Sequence, residues 1–190
     1  MKKMISILLT VLMIVTAIPF AVNAELLADV PEGFTAVYDI DGLYGIRGNL
    51  AGKYILMADI DMTNDVAAGG DYDNGYGWAP IGENGSTPFS GTFDGNGHTI
   101  TGLRCYNTKT TYVGLFGYVT GEVKNLTIAN ATLINNNNSE KYIGAVTGYI
   151  SKGKISNVKV EDLVLSTNSS TSGSYYGYYG GIAGYSKYVT

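Results

Sequence analysis

The sequence predicts an all-β chain whose short strands stack on one another as a solenoid, and three observations carry that prediction. First, YVGLFGYVTGEVKNLTIANATL at 112–133 returns as YIGAVTGYISKGKISNVKVEDLVL at 142–165, and its first half returns as YGGIAGY at 179–185. Chains that repeat in this way stack one structural unit on the next. Second, a shift of 32 carries Val123, Leu126, Ile128, Ala131 and Leu133 onto Ile155, Val158, Val160, Leu163 and Leu165, all apolar, and carries Lys124 and Thr127 onto Ser156 and Lys159. Alternate residues of a strand share a face, so this pattern keeps inward positions over inward positions from one repeat to the next. Third, 26 glycines, 16 tyrosines, many Asn and Thr and only 15% charged residues suit short strands and tight turns, not helices.

The chain opens on MKKM, an apolar run from Ile5 to Val22, and Ala24. A basic start, an apolar centre and small residues at the end describe a secretory signal peptide over residues 1–24. Glu25 and Asp29 follow in place of a basic stop-transfer cluster, so the reading is cleavage after Ala24, with no membrane insertion afterwards and a secreted or cell-surface destination. Cleavage leaves 166 of the 190 residues and removes Lys2 and Lys3, which takes the net charge from −4 to −6. Such an acidic chain has no basic patch to neutralise phosphates, which excludes nucleic acid and an anionic lipid surface as expected partners. With Cys105 as its one cysteine, an exported chain forms no internal disulfide and depends on burial and backbone pairing.

Residues 25–50 read as an N-terminal capping segment and 51–190 as the repeat domain. Residues 25–38 show no period. DIDGLYGIRGNL at 39–50 spaces Leu43, Ile46 and Leu50 helically behind Asp41 as candidate N-cap, but Gly42, Gly45 and Gly48 each cost a helix about 1 kcal/mol relative to Ala, so the helix is short. Open-ended stacks need such a cover. Tyr54–Met62 alternates as one strand, Thr63–Gly77 is a long Gly/Asp/Asn loop, and Phe89–Leu103 holds two strands about the turn DGNG. Ile100, Leu103 and Cys105 precede Val123, Leu126 and Ile128 by 23 residues, which places Cys105 in the core in line with Ile128 and Val160. Asn125 and Asn157 share a repeat position and are expected to hydrogen-bond as a ladder. Gly117, Gly148 and Gly184, each followed by Tyr, mark a corner that needs either positive φ or close backbone approach. The third copy stops at Thr190 before its second half, so the chain is expected to continue into further repeats or domains.

YVGLFGYV, YIGAVTGY and YGGIAGYS resemble the GLUG motif of bacterial surface and secreted proteins, and KYILMADIDM, WAPIG and PFSGTFDGNGHTITGL resemble the segment that introduces such repeats. The resemblance covers about residues 50–190. It implies a right-handed parallel β-helix, similar to pectin-lyase-like and filamentous-haemagglutinin-like solenoids. Val113 and Ala145 depart from the motif's paired glycine.

Four tyrosines among Ser and Gly, Tyr175, Tyr176, Tyr178 and Tyr179, have the composition of binding loops, where rigid aromatics make contact and small residues adapt. They are the ligand-binding candidates; the plainer reading is packing against neighbouring repeats. Tyr118, Tyr149 and Tyr185 are read as packing residues. Asp59 and Asp61, two apart on a strand and therefore about 6.6 Å apart, join Asp71 and Asp73 of the following loop as a candidate Ca²⁺ site, although turn formation and a solvated face explain the same residues. No other cofactor is implied. His98 stands without a companion motif, and the basic residue beside acids that a lyase wants is missing. The expectation is a non-catalytic secreted or cell-surface module that binds a surface glycan or protein. The alternative is a polysaccharide hydrolase or lyase on the same scaffold, with Asp59, Asp61 and Asp94 as acids.

Overall fold

The computed structural model describes residues 30–106, 110–135, 140–167 and 177–189. The expected signal peptide and two of the candidate ligand residues, Tyr175 and Tyr176, lie outside them. The described chain is mostly strand: β1 (Thr35–Val37), the helix α1 (Ile40–Gly45) with a 3₁₀ turn at Ile46–Gly48, β2 (Lys53–Leu56), β3 (Ile60–Asp61), β4 (Thr92–Asp94), β5 (Thr99–Thr101), β6 (Arg104–Tyr106), β7 (Tyr112–Val113), β8 (Phe116–Val119), β9 (Glu122–Ala129), β10 (Thr132–Asn135), β11 (Lys141–Gly144), β12 (Thr147–Ser151), β13 (Lys154–Glu161), β14 (Val164–Thr167), β15 (Gly177–Gly180) and β16 (Ala183–Lys187).

Pairing between these strands is parallel, and each partner comes from the neighbouring repeat. Three sheets run β6-β10-β14, β7-β11-β15 and β8-β12-β16. The fourth is built on β9, with β4 and β5 side by side along one edge and β13 along the other. β2 lies on β4, β3 on β5 and β1 on β2. Parallel strands need a long crossover between partners. Here the rest of each repeat supplies it, and does so as further strands.

The register of β9 on β13 is the one the repeats predict: Val123 faces Ile155, Leu126 faces Val158 and Ile128 faces Val160, while Leu133 of β10 faces Leu165 of β14. All four residues of the earlier layer are buried, and their counterparts in the later layer pack on them half-buried. Phe116 sits between Phe89 and Phe93, with ring centroids 4.8 and 5.4 Å away, and the fully buried Trp78 donates its indole N–H to the Leu115 carbonyl at 3.1 Å.

Four expectations are corrected. The 23-residue offset is 28: Thr99 faces Thr127, Ile100 faces Ile128 and Cys105 faces Leu133, and it is Phe93 that faces Val123. The corner sets this register. Gly95 N–H bonds the Lys124 carbonyl and Gly97 N–H the Asn125 carbonyl, both at 2.8 Å, which seats the DGNG turn on the bend in β9. Cys105 is buried as expected, but over Leu133. The single strand at 54–62 is two, β2 and β3, because the chain must turn the corner that β4 and β5 turn beneath it. Asp59 therefore lies outside any strand. The helix is capped by Asp39, whose extended backbone lets its carboxylate accept from Gly42 N–H at 2.9 Å; Asp41 is already in the first turn. Finally, the periodless stretch at 25–38 contains β1, which at three residues is too short to show a period.

Asn125 and Asn157 form the expected ladder and extend it. Asn157 Nδ2 donates to Asn125 Oδ1, and Asn125 Nδ2 donates to Asp94 Oδ1, both at 2.9 Å. Both asparagines take left-handed φ, 53° and 50°, which Asn tolerates better than residues without a short polar side chain. Asn125→Ala should lower unfolding stability by about 2–3 kcal/mol in urea, from the lost amide bonds and the left-handed φ together. Asn125→Gly, which keeps the φ at no steric cost, should lower it by about half as much.

Candidate functional site: a tyrosine ribbon

Each repeat places a tyrosine of the ribbon on the first of two neighbouring strands and another on the second: Tyr112 and Tyr118, Tyr142 and Tyr149, Tyr178 and Tyr185. Register makes columns of them. Tyr142 faces both Tyr112 and Tyr178, and Tyr149 faces both Tyr118 and Tyr185. Within the first column the rings stack at centroid distances of 5.3 and 4.7 Å, the latter pair within 2° of parallel. Within the second they stack at 4.7 and 5.0 Å. Between columns the rings meet edge to face, as Tyr112 on Tyr118 at 5.3 Å, Tyr142 on Tyr149 at 5.4 Å and Tyr178 on Tyr185 at 5.4 Å. Offset stacks and T-shaped contacts are the two arrangements aromatic quadrupoles favour.

The corner glycines bring the two columns together. A Cβ on Gly117 would stand 2.6 Å from the Gly82 carbonyl oxygen, on Gly148 2.5 Å from Val113 N, and on Gly184 2.4 Å from Ile143 N. Close backbone approach, not positive φ, is what these positions require. The ribbon lies at the surface: Tyr178 and Tyr185 are both exposed, and the other four are half-buried.

Ionisation of Tyr112, Tyr142 and Tyr149 is disfavoured. Burial, with Tyr118 and Glu140 nearby, raises the pKa of Tyr112; burial, with Tyr118 and Tyr185, raises that of Tyr149. Tyr142 is raised furthest, first by the hydrogen bond its hydroxyl donates to the Glu140 carboxylate and then by burial. These three phenols are neutral at ordinary pH.

Of the tyrosines singled out by composition, Tyr178 ends the first column. Tyr179, next to it on β15, faces the other way, and its hydroxyl accepts from Asn135 Nδ2 at 3.3 Å. Tyr118, Tyr149 and Tyr185 pack on neighbouring repeats as expected. Sequence reasoning missed Tyr112 and Tyr142 as site residues, although each begins a repeat copy. It also began the third copy one residue late: YYGGIAGY from Tyr178 lies over YIGAVTGY from Tyr142, with Gly180 on Gly144. The seven-residue YVGLFGY invited a seven-residue match, whereas the second and third copies hold eight between the same two tyrosines.

The acids remain apart. Asp59 Oδ1 accepts from Thr99 N–H at 2.8 Å and lies 3.1 Å from His98 Nδ1. Asp61 Oδ1 accepts from Thr63 N–H at 2.9 Å. Asp73 ties the 63–77 loop together, accepting from the N–H groups of Gly69, Gly75 and Gly77 and from the Tyr106 hydroxyl. These hydrogen bonds hold all three carboxyls below the usual range: chiefly Thr99 N–H for Asp59, the Thr63 side chain for Asp61 and Gly77 N–H for Asp73. Asp71 is exposed. Among the described residues no group of three or more His, Cys, Asp or Glu is placed to hold a metal ion. Asp94, where burial opposes ionisation, is still lowered by Asn125, Asn96 and Lys124, and so belongs to the ladder. Burial pushes the Cys105 thiol up to about 12, which leaves no thiolate at neutral pH. Arg47 lies between the Tyr44 and Trp78 rings, 4.2 and 4.3 Å from their centroids, and donates to the Tyr44 and Ala79 carbonyls, pinning the capping segment to the repeats.

No family model matches the chain. It is 39% identical over 108 residues to a protein of Evansella cellulosilytica described as a Gly-rich membrane protein, an alignment covering 56% of this chain and 12% of that protein. It is 30% identical over 125 residues to halomucin of Haloquadratum walsbyi, covering 65% of this chain and 1% of halomucin. The chain thus spans a small part of the length of these relatives. A crystal structure from Bacteroides ovatus, described as an immunoglobulin A1 protease, superposes with a TM-score of 0.41 at 22% identity over 75% of this chain and 44% of that one, a likeness too loose to carry an argument. No helix among the described residues is long and apolar enough to cross a membrane.

A phenol whose folded pKa lies above the unfolded value stabilises the fold fully below the unfolded value, and that contribution is lost as pH rises through the folded one. The ordinary tyrosine value is 10.0. Stability should therefore hold as pH rises to about 10 and fall beyond it, with phenolate absorbance of Tyr112, Tyr142 and Tyr149 appearing together with unfolding. Replacing Tyr112, Tyr142 and Tyr149 by Phe should flatten that alkaline limb.

Proposed function

We propose that the chain is a segment of a right-handed parallel β-helix built of GLUG-type repeats, and that it serves as a non-catalytic module of a secreted or cell-surface protein, binding a glycan or a protein through the tyrosine ribbon. The solenoid reading is supported by sheets that take one strand from each successive repeat in order. A surface location is supported by the relatives, one described as a membrane protein and one as halomucin. The observation that carries the binding reading is the ribbon itself: six tyrosines held in two columns at the surface.

Such a surface recognises its partner by phenol hydrogen bonds and ring-edge contacts, each worth about 0.5–1.5 kcal/mol, which add along the repeats. No specific observation favours the hydrolase or lyase reading: Asp59 accepts from Thr99 N–H of the neighbouring layer, Asp61 serves its local turn and Asp94 the ladder. Retention of the chain on cellulose, chitin and mucin-coated beads tests the proposal. Tyr178→Ser with Tyr185→Ser should cut retention on at least one support by about tenfold, the equivalent of ~1.4 kcal/mol, while Tyr38→Ser, exposed but outside the ribbon, should leave it unchanged. Equal retention of both variants would remove the ribbon as the contact face.

A further inference from the structure

The ribbon also has the features of an oxidation site, independently of any ligand it binds. Tyr142 stands at its centre. Its ring stacks on Tyr112 and Tyr178 and meets Tyr149 and Tyr185 edge to face, all at centroid distances between 4.7 and 5.8 Å. Its hydroxyl donates to the Glu140 carboxylate. Removing an electron from a neutral phenol makes a strongly acidic radical cation, so oxidation near neutral pH is easiest where a base already holds the proton. Tyr142 has that base in place. Three other oxidisable side chains, Cys105, Trp78 and Met62, are fully buried. Tyr178 is 37% exposed and has its in-register partner Tyr142 within 2° of parallel.

We propose that the ribbon is a site of oxidative cross-linking, in which Tyr142 and Tyr178 are joined as a dityrosine that covalently ties one layer of strands to the next. The oxidant is of the haem-peroxidase and hydrogen peroxide class. It takes one electron from Tyr142 as the phenol proton passes to Glu140, and one electron and one proton from Tyr178. The two phenoxyl radicals couple through a new C–C bond between ring carbons ortho to the oxygens. Each of those carbons then loses its hydrogen as a proton while the oxygen regains one, which restores both phenols. The chain loses two hydrogen atoms in all, and one hydrogen peroxide is reduced to two waters.

Register selects the pair. In-register parallel partners repeat at the strand spacing of about 4.8 Å, so like ring carbons of Tyr142 and Tyr178 begin about that far apart and meet when both rings pivot about χ2. An electron vacancy created elsewhere in the ribbon reaches them through ring contacts of the same length. Oxidation governed by exposure alone would choose differently, because Tyr188 is 71% and Tyr38 54% exposed.

Treating the full chain with horseradish peroxidase and hydrogen peroxide at neutral pH, then following dityrosine fluorescence and mapping joined peptides by mass, tests the proposal. The expected main product is a monomer two hydrogens lighter with the Tyr142 and Tyr178 peptides linked. Tyr142→Phe, which keeps the ring stack, should abolish that link. Glu140→Gln should slow it several-fold with the circular dichroism spectrum unchanged, and Tyr188→Phe should leave it intact. Links made chiefly through Tyr38, Tyr188 or any pair that omits Tyr142, an undiminished yield in Tyr142→Phe, or no dityrosine at all would overturn it.

Discussion

Parallel, in-register pairing between successive repeats is the constraint on which the rest of the structure depends. It sets each side chain about 4.8 Å from its counterpart in the next layer, so a position is satisfactory only if its residue is content beside something like itself. Aliphatic side chains meet that condition, hence Val123 on Ile155 and Leu133 on Leu165. Amides meet it because each carries a donor and an acceptor, hence Asn157 on Asn125. Phenol rings meet it by offset stacking, hence the two tyrosine columns. Like charges fail it. The charged positions that do stack alternate in sign, Lys154 over Glu122 at 3.1 Å and Lys124 beside Asp94 at 3.3 Å, and a charged content of 15% fits a fold that offers few such places.

The same constraint governs corners, because a bend in one layer must be repeated in the next. Asn125 and Asn157 both adopt left-handed φ, as do Asn130 and Asp162, so β9 and β13 are followed by the same second bend that they share at their middles. The break between β2 and β3 repeats the one between β4 and β5. Asp94, at the level below Asn125, accepts the amide's hydrogen bond and joins the ladder to the DGNG turn through Asn96 N–H. The corner is thus both a backbone device and a hydrogen-bonded column.

Where two full repeats could be compared, the pattern was legible: apolar register and the asparagine ladder both follow from it. Where one copy stood alone it was not. The 23-residue offset between Ile100 and Val123 matched apolar to apolar, but the turn hydrogen bonds that set the true 28-residue offset have no signature in hydrophobicity. Asn130 and Asp162, at the same repeat spacing as Asn125 and Asn157, escaped notice because the residue type changes while the backbone does not. The tyrosine ribbon was half legible. Tyr118, Tyr149 and Tyr185 follow glycine each time, but pairing Tyr142 with Tyr178 and not with Tyr179 needs the register of β15. Asp59, Asp61, Asp71 and Asp73 looked like a cluster because they are close in sequence, and the turns between them point their carboxylates at different N–H groups.

Disulfide trapping tests the layer register most directly, since adjacent in-register strands bring Cα atoms within the 4.4–6.8 Å or so that a disulfide spans. Buried Cys105 does not compete in mild oxidation. In-register layering predicts that Thr127→Cys with Lys159→Cys, and Thr99→Cys with Thr127→Cys, each form an intramolecular disulfide rapidly, and that Thr99→Cys with Glu122→Cys, the pair of the 23-residue offset, does not. Rapid trapping of the last pair, with the first two remaining reduced, would contradict it.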